Sequence, residues 1–375
     1  MLYADHAASA PLRPAARAAA IHAMDEGFAN PSGIHASGQA AAHLRETARE
    51  SVAADLGCGR GEVFFTSGGT ESNNWAISAA ARLGPKQGRN RVLVGATEHL
   101  SVLNVAKELE AQGFALTLLP VDAMGILRLD ILERALGEDT ALVSVQWVNN
   151  ETGAVQPVAS IAGLCHAHGA LFHTDAVQAV GPVAISFEAC GADLLTLSGH
   201  KLGGLKGSGA LLCCRGLKLP PLLYGGHQED GLRPGTENLP GIASLAASLR
   251  ESCGNREREA ARVSALRREL LEGLDGLKGW RLMSPDVNGP ILGLLFDGLD
   301  GEALALHASL AKVYISSGAA CTSGQPVSSH VLRAMGIPED AARGFARVSL
   351  GWSNRPGDGA AVAQVLRTKV TELRR

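Results

Sequence analysis

The sequence predicts an α/β fold: a large unit built on a mostly parallel sheet, followed by a smaller α+β unit. Three observations predict it. Short apolar runs recur from about Glu62 to Cys214, helix-like stretches separate several of them, and the texture of the chain changes after about residue 255. The runs are VFF (63–65), VLVGA (92–96), ALTLLPV (115–121), ALVSVQWV (141–148), ALFH (170–173), LLTL (194–197) and ALLCC (210–214). Most read as strands covered on both faces, because apolar residues fill both alternating positions. Residues 70–82, 100–111 and 158–168 read as the intervening helices. Strand alternating with helix implies right-handed crossovers and parallel pairing.

Beyond residue 255, NREREAARVSALRRELLEGLDGL reads as one long amphipathic helix whose Arg and Glu residues form a solvated face. ILGLLFDG (291–298), a helix near 301–310, VYISSG (313–318) and RVSLGW (347–352) complete the smaller unit. A length of 375 residues accommodates two such units, at roughly 100–200 residues per domain.

Composition excludes several classes. A net charge of -3 argues against a general nucleic-acid-binding surface. The start, MLYADHAASAPLRP, lacks the basic and then apolar pattern of a secretory signal. No stretch approaches the ~20 apolar residues of a membrane span. The seven cysteines contain no CxxC pair, so a disulfide framework or zinc knuckle is not expected, and a reduced, cytoplasmic setting is. Cys165 with His166 and His168 lacks the further ligands a metal needs.

Polar residues follow the apolar runs. VLVGA leads to Thr97-Glu98-His99, ALVSVQWV to Asn149-Asn150-Glu151, ALFH to Thr174-Asp175 with Gln178 beyond, and LLTL to Ser198-Gly199-His200-Lys201. Ligands of open α/β sheets bind outside the carboxyl ends of the strands, so His99, Asn150, Asp175, Gln178, Ser198, His200 and Lys201 are expected in one crevice. In FFTSGGTESNNWAI (64–77) a strand meets a Gly-Gly turn and a helix that opens on Thr70, Glu71 and Ser72. That is either an ordinary capped helix or an anion site made by free N–H groups and the helix dipole. Lys201 is either a lysine that reaches solvent along its own stem or one that forms a Schiff base with a carbonyl. Asp175 matches the second reading, since pyridoxal phosphate is an electron sink only while its ring nitrogen stays protonated beside an acid. His99 could stack on such a ring and move protons. Cys321 differs from the other cysteines: SSGAACTSGQPVSS (316–329) lacks apolar anchors, which predicts a loop with an exposed, reactive thiol.

TSGGTESNN (66–74), TEH (97–99), VNNETG (148–153), HTDAVQ (173–178), SGHK (198–201), RPGTEN (233–238), SSGAACTS (316–323) and RVSLG (347–351) together resemble the NifS/IscS-like cysteine desulfurases. The resemblance runs in register from about residue 2 to 352. It implies the fold type I architecture of pyridoxal 5'-phosphate enzymes, with a large domain (16–255) on a seven-stranded sheet, a small domain (1–15 with 256–375) and a homodimer. It implies that Lys201 carries the cofactor as a Schiff base and removes the α-proton of L-cysteine. Asp175 would pair with the ring nitrogen, Gln178 and Asn150 reach the ring hydroxyl, and His99 stack on the ring. Thr70, Glu71, Ser198 and His200 would surround the phosphate, with Thr236 reaching the phosphate of the other subunit. Arg347, with Asn150, would hold the substrate carboxylate. Cys321 would take the sulfur as a persulfide and release alanine. An acceptor protein, an iron–sulfur scaffold or a tRNA-thiolation carrier, would then receive the sulfur, and Cys321 could contact an iron–sulfur cluster there. Neither a membrane nor direct nucleic-acid contact is implied. A selenocysteine lyase or an aminotransferase is the alternative on the same scaffold, and a non-catalytic sulfur-assembly partner the remote one. Departures from the family pattern fall at Ala319, Gly203, Leu205, His227 and Asp230.

Overall fold

The seven apolar runs become the seven strands of one sheet. The computed structural model describes residues 1–84, 88–285, 288–317 and 329–375. The chain begins with β1 (Leu2–Tyr3), α1 (Pro14–Glu26) and α2 (Ala36–Leu56). It then alternates β2 (Val63–Thr66), α3 (Gly69–Leu83), β3 (Arg91–Gly95), α4 (Leu100–Ala111), β4 (Ala115–Leu119), α5 (Leu129–Ala135), β5 (Thr140–Ser144), α6 (Val158–Ala167), β6 (Leu171–Asp175), α7 (Phe187–Cys190), β7 (Leu194–Ser198) and β8 (Gly209–Cys213). After α8 (Leu239–Gly254) and α9 (Arg256–Leu274) come β9 (Trp280–Leu282), β10 (Ile291–Phe296), α10 (Gly301–Leu310), β11 (Val313–Tyr314), α11 (His330–Ala334), α12 (Glu339–Ala342), β12 (Phe345–Ser349) and α13 (Asp358–Leu373).

The sheet order is β2-β8-β7-β6-β5-β3-β4. Strands β3 to β7 pair in parallel, while β8 lies antiparallel between β7 and β2. The link from β7 to β8, residues 199–208, is shorter than the dozen or so residues a parallel crossover needs, so β8 returns antiparallel. Alternate residues enter opposite layers. Leu93, Val143, Leu195 and Leu212 join the core on one face, and Val92, Leu142, Leu194 and Leu211 that on the other. Each such side chain contributes about 1.5–3 kcal/mol by leaving water. Strand β4 departs from two-sided burial: it is the edge strand, and Leu118 is half exposed.

In the smaller unit, β9, β10 and β12 form an antiparallel sheet, and β1 pairs in parallel with β11. Ala4 shares a core with Leu266 and Leu270 of α9, Phe296 of β10 and Leu366 of α13, so the first residues pack with the last third of the chain. The predicted solvated face of α9 needs correction. Arg267 is buried, and its Nη1 donates to the carbonyls of Gly289 and Ile291, which replace water around the guanidinium. Among the described residues no helix is long and apolar enough to cross a membrane.

Strand order reverses between β3 and β5, since β4 lies to one side of β3 and β5 to the other. The crevice outside the carboxyl ends at such a switch is where these sheets bind ligands.

Candidate active site

A cavity of about 300 Å³ opens at that crevice. Each wall has a local cause. Strand β3 runs into His99, which caps α4 by accepting from the backbone N–H of Ser101 at 3.1 Å. Asn150 follows β5, while Asp175 and Ser198 are the last residues of β6 and β7. Thr70 lies in the first turn of α3, where the N–H groups lack partners within the helix. The turn before it depends on glycine: Gly68 has φ +153, and a Cβ on Gly209 would sit 2.6 Å from the Gly68 Cα. Two neighbouring backbones therefore meet where any side chain would separate them.

Asp175 is 7% exposed. Its Oδ1 accepts from the Val177 N–H at 2.9 Å and its Oδ2 from the Asn73 amide at 2.7 Å. The Lys201 amine donates to the carbonyls of Ala7 and Ala8 at 2.6 and 2.9 Å, and Gln178 donates to Ala7 at 2.8 Å. Thus the first residues of the chain close one side of the cavity. Arg347 is 2% exposed; its Nη1 donates to the Asn150 carbonyl and its Nη2 to Asp5, at 2.9 and 2.8 Å. Its Nε is buried without a hydrogen-bond partner among the described residues.

Burial dominates the electrostatics. It pushes the His99 imidazole below its ordinary range, with Lys201 and His330 acting in the same direction and Asp175 against them. His200 is pulled down to about 4 by burial and by Lys201 and Lys206. Glu98, wholly buried, is raised well above the usual carboxylate range by burial, and Asp175 adds to the rise. Glu151 is raised by burial as well, opposed by the Ser329 hydroxyl, His330 and Arg347.

Of the residues singled out in sequence, Thr70, His99, Asn150, Asp175, Gln178, Ser198, His200, Lys201 and Arg347 all line this cavity. Glu71 does not. Its carboxylate turns away to Arg233, at 2.7 Å, and to the Ser67 hydroxyl, so what it can offer an anion is its backbone N–H. Thr236 stands exposed on the loop before α8 and does not line the cavity of its own chain. Cys321 and Ala319 lie outside the described residues. Sequence reasoning missed Ala7, Asn73, Ser101, Glu151 and His330, which also line the cavity. The spacing from Thr70 to Asn73 was a usable signal, because residues three apart share a helix face.

Two departures from the family pattern have structural reasons. Gly203 has φ +85, and a Cβ there would meet Arg13 Cγ at 2.7 Å and the Pro11 carbonyl at 2.8 Å. The glycine lets the first residues pass against the turn that carries Lys201. Asp230, like Glu229 before it, adopts left-handed backbone, with φ 57 and 48, a region that Asp enters more readily than most residues because its short polar side chain can hydrogen-bond locally. The side chain of Glu229 is buried and gripped by both Nη atoms of Arg49 and by the Phe65 N–H, which holds this turn in place. Nothing in the structure explains His227 or Leu205.

The donor set fits pyridoxal 5'-phosphate. A buried carboxylate fixed by two neutral N–H groups suits a ring N–H, and an amine in the same cavity suits the aldehyde. Two hydroxyls beside the N-terminus of α3 suit the phosphate.

Comparison with known proteins gives the family and the fold. The family model described as Aminotransferase class-V matches residues 2–358. A cysteine desulfurase of Gluconacetobacter diazotrophicus is 41% identical over 378 residues, spanning 100% of this chain and 94% of the relative. A solved NifS-like protein superposes with a TM-score of 0.93 at 32% identity, covering 99% of this chain and 100% of that one. A structure of SspA in complex with cysteine gives 0.82 at 33% identity, covering 94% and 99%.

Proposed function

Because the chain belongs to the aminotransferase class-V family and, within it, to the cysteine desulfurases, we propose that it removes the sulfur of L-cysteine, releases L-alanine and retains the sulfur on Cys321. The observation that carries this reading is the convergence of Lys201, Asp175, His99 and Arg347 on one cavity. Pyridoxal 5'-phosphate, when bound, supplies an electron sink that makes the substrate's α-proton acidic and weakens its Cβ–S bond.

The residues of the chain do the rest. Lys201 anchors the cofactor and takes the α-proton on its amine. Asp175, held from both oxygens, keeps a proton on the ring nitrogen. Thr70, Ser198 and His200 bind the phosphate, and Thr236 does so across a homodimer. Gln178 and Asn150 serve the ring hydroxyl. Arg347 offers a planar fork to the substrate carboxylate, exchanging its present partners for it. The Cys321 thiolate attacks the substrate sulfur. An S–S bond forms, the Cβ–S bond breaks with its electron pair passing to the organic fragment, and that fragment gains a proton to become alanine.

The division at residues 16–255 against 1–15 with 256–375 belongs to the same reading, as do a cytoplasmic setting and a sulfur-accepting protein partner. The experiment is turnover of L-cysteine and of selenocysteine by the wild type and by Cys321→Ala. The proposal expects stoichiometric alanine and reducible sulfur from cysteine, lost in the variant. Full turnover by Cys321→Ala, or turnover of selenocysteine alone, would overturn it.

A further inference from the structure

The amide of Asn73 joins two groups that the reaction uses separately. Asn73 lies in the first turns of α3, is 1% exposed, and lines the cavity. Its Nδ2 donates to Asp175 Oδ2 at 2.7 Å and to Ser101 Oγ at 2.9 Å. The same Ser101 Oγ lies 2.8 Å from His99 Nδ1. A continuous path of hydrogen bonds therefore runs from Asp175 through Asn73 and Ser101 to His99.

We propose that Asn73 is a positioning residue: it sets the plane of the Asp175 carboxylate and, through Ser101, obliges His99 to face the cavity with its ring hydrogen on Nε2. The argument is a count of hydrogens. Two acceptors compete for the amide, and an NH₂ group has one hydrogen for each. Reversing the amide would set its oxygen against the carboxylate, two acceptors face to face, so the nitrogen belongs on that side. Ser101 Oγ then accepts from Asn73 and has one hydrogen to give. His99 Nδ1 receives it and also receives the Ser101 backbone N–H at 3.1 Å. A ring nitrogen that takes two donors must present its lone pair, which leaves the hydrogen on Nε2. Charging the ring would require a hydrogen on Nδ1, which sets it against the fixed Ser101 backbone N–H and forces the Ser101 hydroxyl to reverse its role.

The consequence for chemistry is specific. His99 in this state donates from Nε2 and does not become cationic readily, so it polarises or stacks rather than carrying a full charge. Among the described residues, the charged or titratable groups that act on it are Asp175, Lys201 and His330. Asp175 meanwhile loses its freedom to rotate, because Val177 holds one oxygen and Asn73 the other. This inference rests on the reading that Asp175 serves the cofactor's ring nitrogen.

The test uses the full-length holoprotein labelled at histidine Cε1, with the His99 signal assigned by its loss in His99→Gln. Its imidazole is titrated by NMR in the wild type, Ser101→Ala, Asn73→Ala, the double variant of these two, and Ser101→Thr. Hydrogen bonds to the neutral ring oppose protonation, so removing a donor raises the titration midpoint. The expected result is a higher midpoint in Ser101→Ala and in Asn73→Ala, non-additive in the double variant, and a wild-type value in Ser101→Thr. Asn73→Ala also lowers kcat by roughly ten- to a hundredfold with KM little changed, as removal of an outer hydrogen-bond partner does elsewhere. Unchanged midpoints in both alanine variants would overturn the proposal. Should Asn73→Ala not fold, Asn73→Ser takes its place, and an unchanged midpoint there would equally overturn the proposal. A wild-type cofactor absorption spectrum in Asp175→Ala would instead overturn the reading of Asp175, leaving the histidine titration to stand separately.

Discussion

The two ends of the central sheet hold similar side chains and differ in what those side chains are free to do. Beyond the opposite ends of the strands, Cys58, Glu62, His166, Asp193 and Cys214 line a cavity of about 600 Å³, larger than the one at the switch point. Its groups, however, satisfy one another and the backbone. Asp193 takes His166 at 3.0 Å and the Phe172 N–H at 2.8 Å, and Glu62 takes the N–H groups of Gly59 and Arg215. Burial pushes the Cys58 and Cys214 thiols up to about 12. At the switch point Asn73 Oδ1 and Arg347 Nε are buried without hydrogen-bond partners among the described residues. Reactive potential follows from groups held in place with bonding capacity to spare, rather than from their inventory.

The contrast is broken most forcefully by substitution at each end. Lys201→Ala or Asp175→Ala should reduce cysteine turnover by about 10²–10⁴-fold, the range for losing a group that moves or holds a reacting proton. Asp193→Asn should leave turnover per folded molecule unchanged and lower stability by roughly 1 kcal/mol, since it disturbs part-buried bonding alone. Steady-state kinetics and urea unfolding on the same preparations decide this; inactivity of folded Asp193→Asn would erase the contrast. A smaller effect comes from Arg347→Lys. Exchanging a planar fork for a point charge should raise KM for cysteine about tenfold with kcat less affected, measured from initial rates.

Thiol chemistry sharpens the same comparison. With midpoints near 12, Cys58 and Cys214 form almost no thiolate at neutral pH, so alkylation there should be slow and should accelerate only as pH climbs toward that value. Peptide mapping after a pulse of iodoacetamide should show Cys321 modified first. Cys58→Ser and Cys214→Ser should turn over cysteine as the wild type does.

A stability effect that depends on pH lies on β6. His173 is fully buried between the hydroxyls of Ser144 and Thr196, at 2.8 and 3.0 Å, and burial pulls its imidazole from 6.5 to about 3. The unfolded chain binds a proton there below about pH 6.5, whereas the folded protein resists until about pH 3. The stabilisation is therefore complete above 6.5 and is lost as pH falls through that window, by up to about 1.4 kcal/mol per pH unit. His173→Gln should flatten the slope of unfolding free energy between pH 6.5 and 4. An unchanged slope would show that other groups set it.

The frame of the site was legible in sequence because it follows one rule. An apolar run long enough to be a buried strand ends in polar residues, and those residues gather at one edge of the sheet. His99, Asn150, Asp175, Ser198 and Lys201 obey it. Other parts depend on long-range packing. Ala7 and Ala8 reach Lys201 across 194 and 193 residues, and alanine carbonyls carry no compositional signal. His330 enters through its bond to the Glu98 carbonyl, 232 residues away. Glu71 misled as a phosphate neighbour because it follows Thr70 in the first turn of α3, while its partner, Arg233, sits in a distant loop. Asn73 and Ser101 read as ordinary early-helix residues until the two helices stand side by side.

The central claim is that the Lys201 amine is where the cofactor attaches, opposite an aspartate fixed for its ring. The most direct measurement is borohydride reduction of the purified protein reconstituted with pyridoxal 5'-phosphate, followed by peptide mass spectrometry. The account predicts one stable adduct, on the peptide containing Lys201. An adduct on another lysine such as Lys206, with Lys201 unmodified, would contradict it.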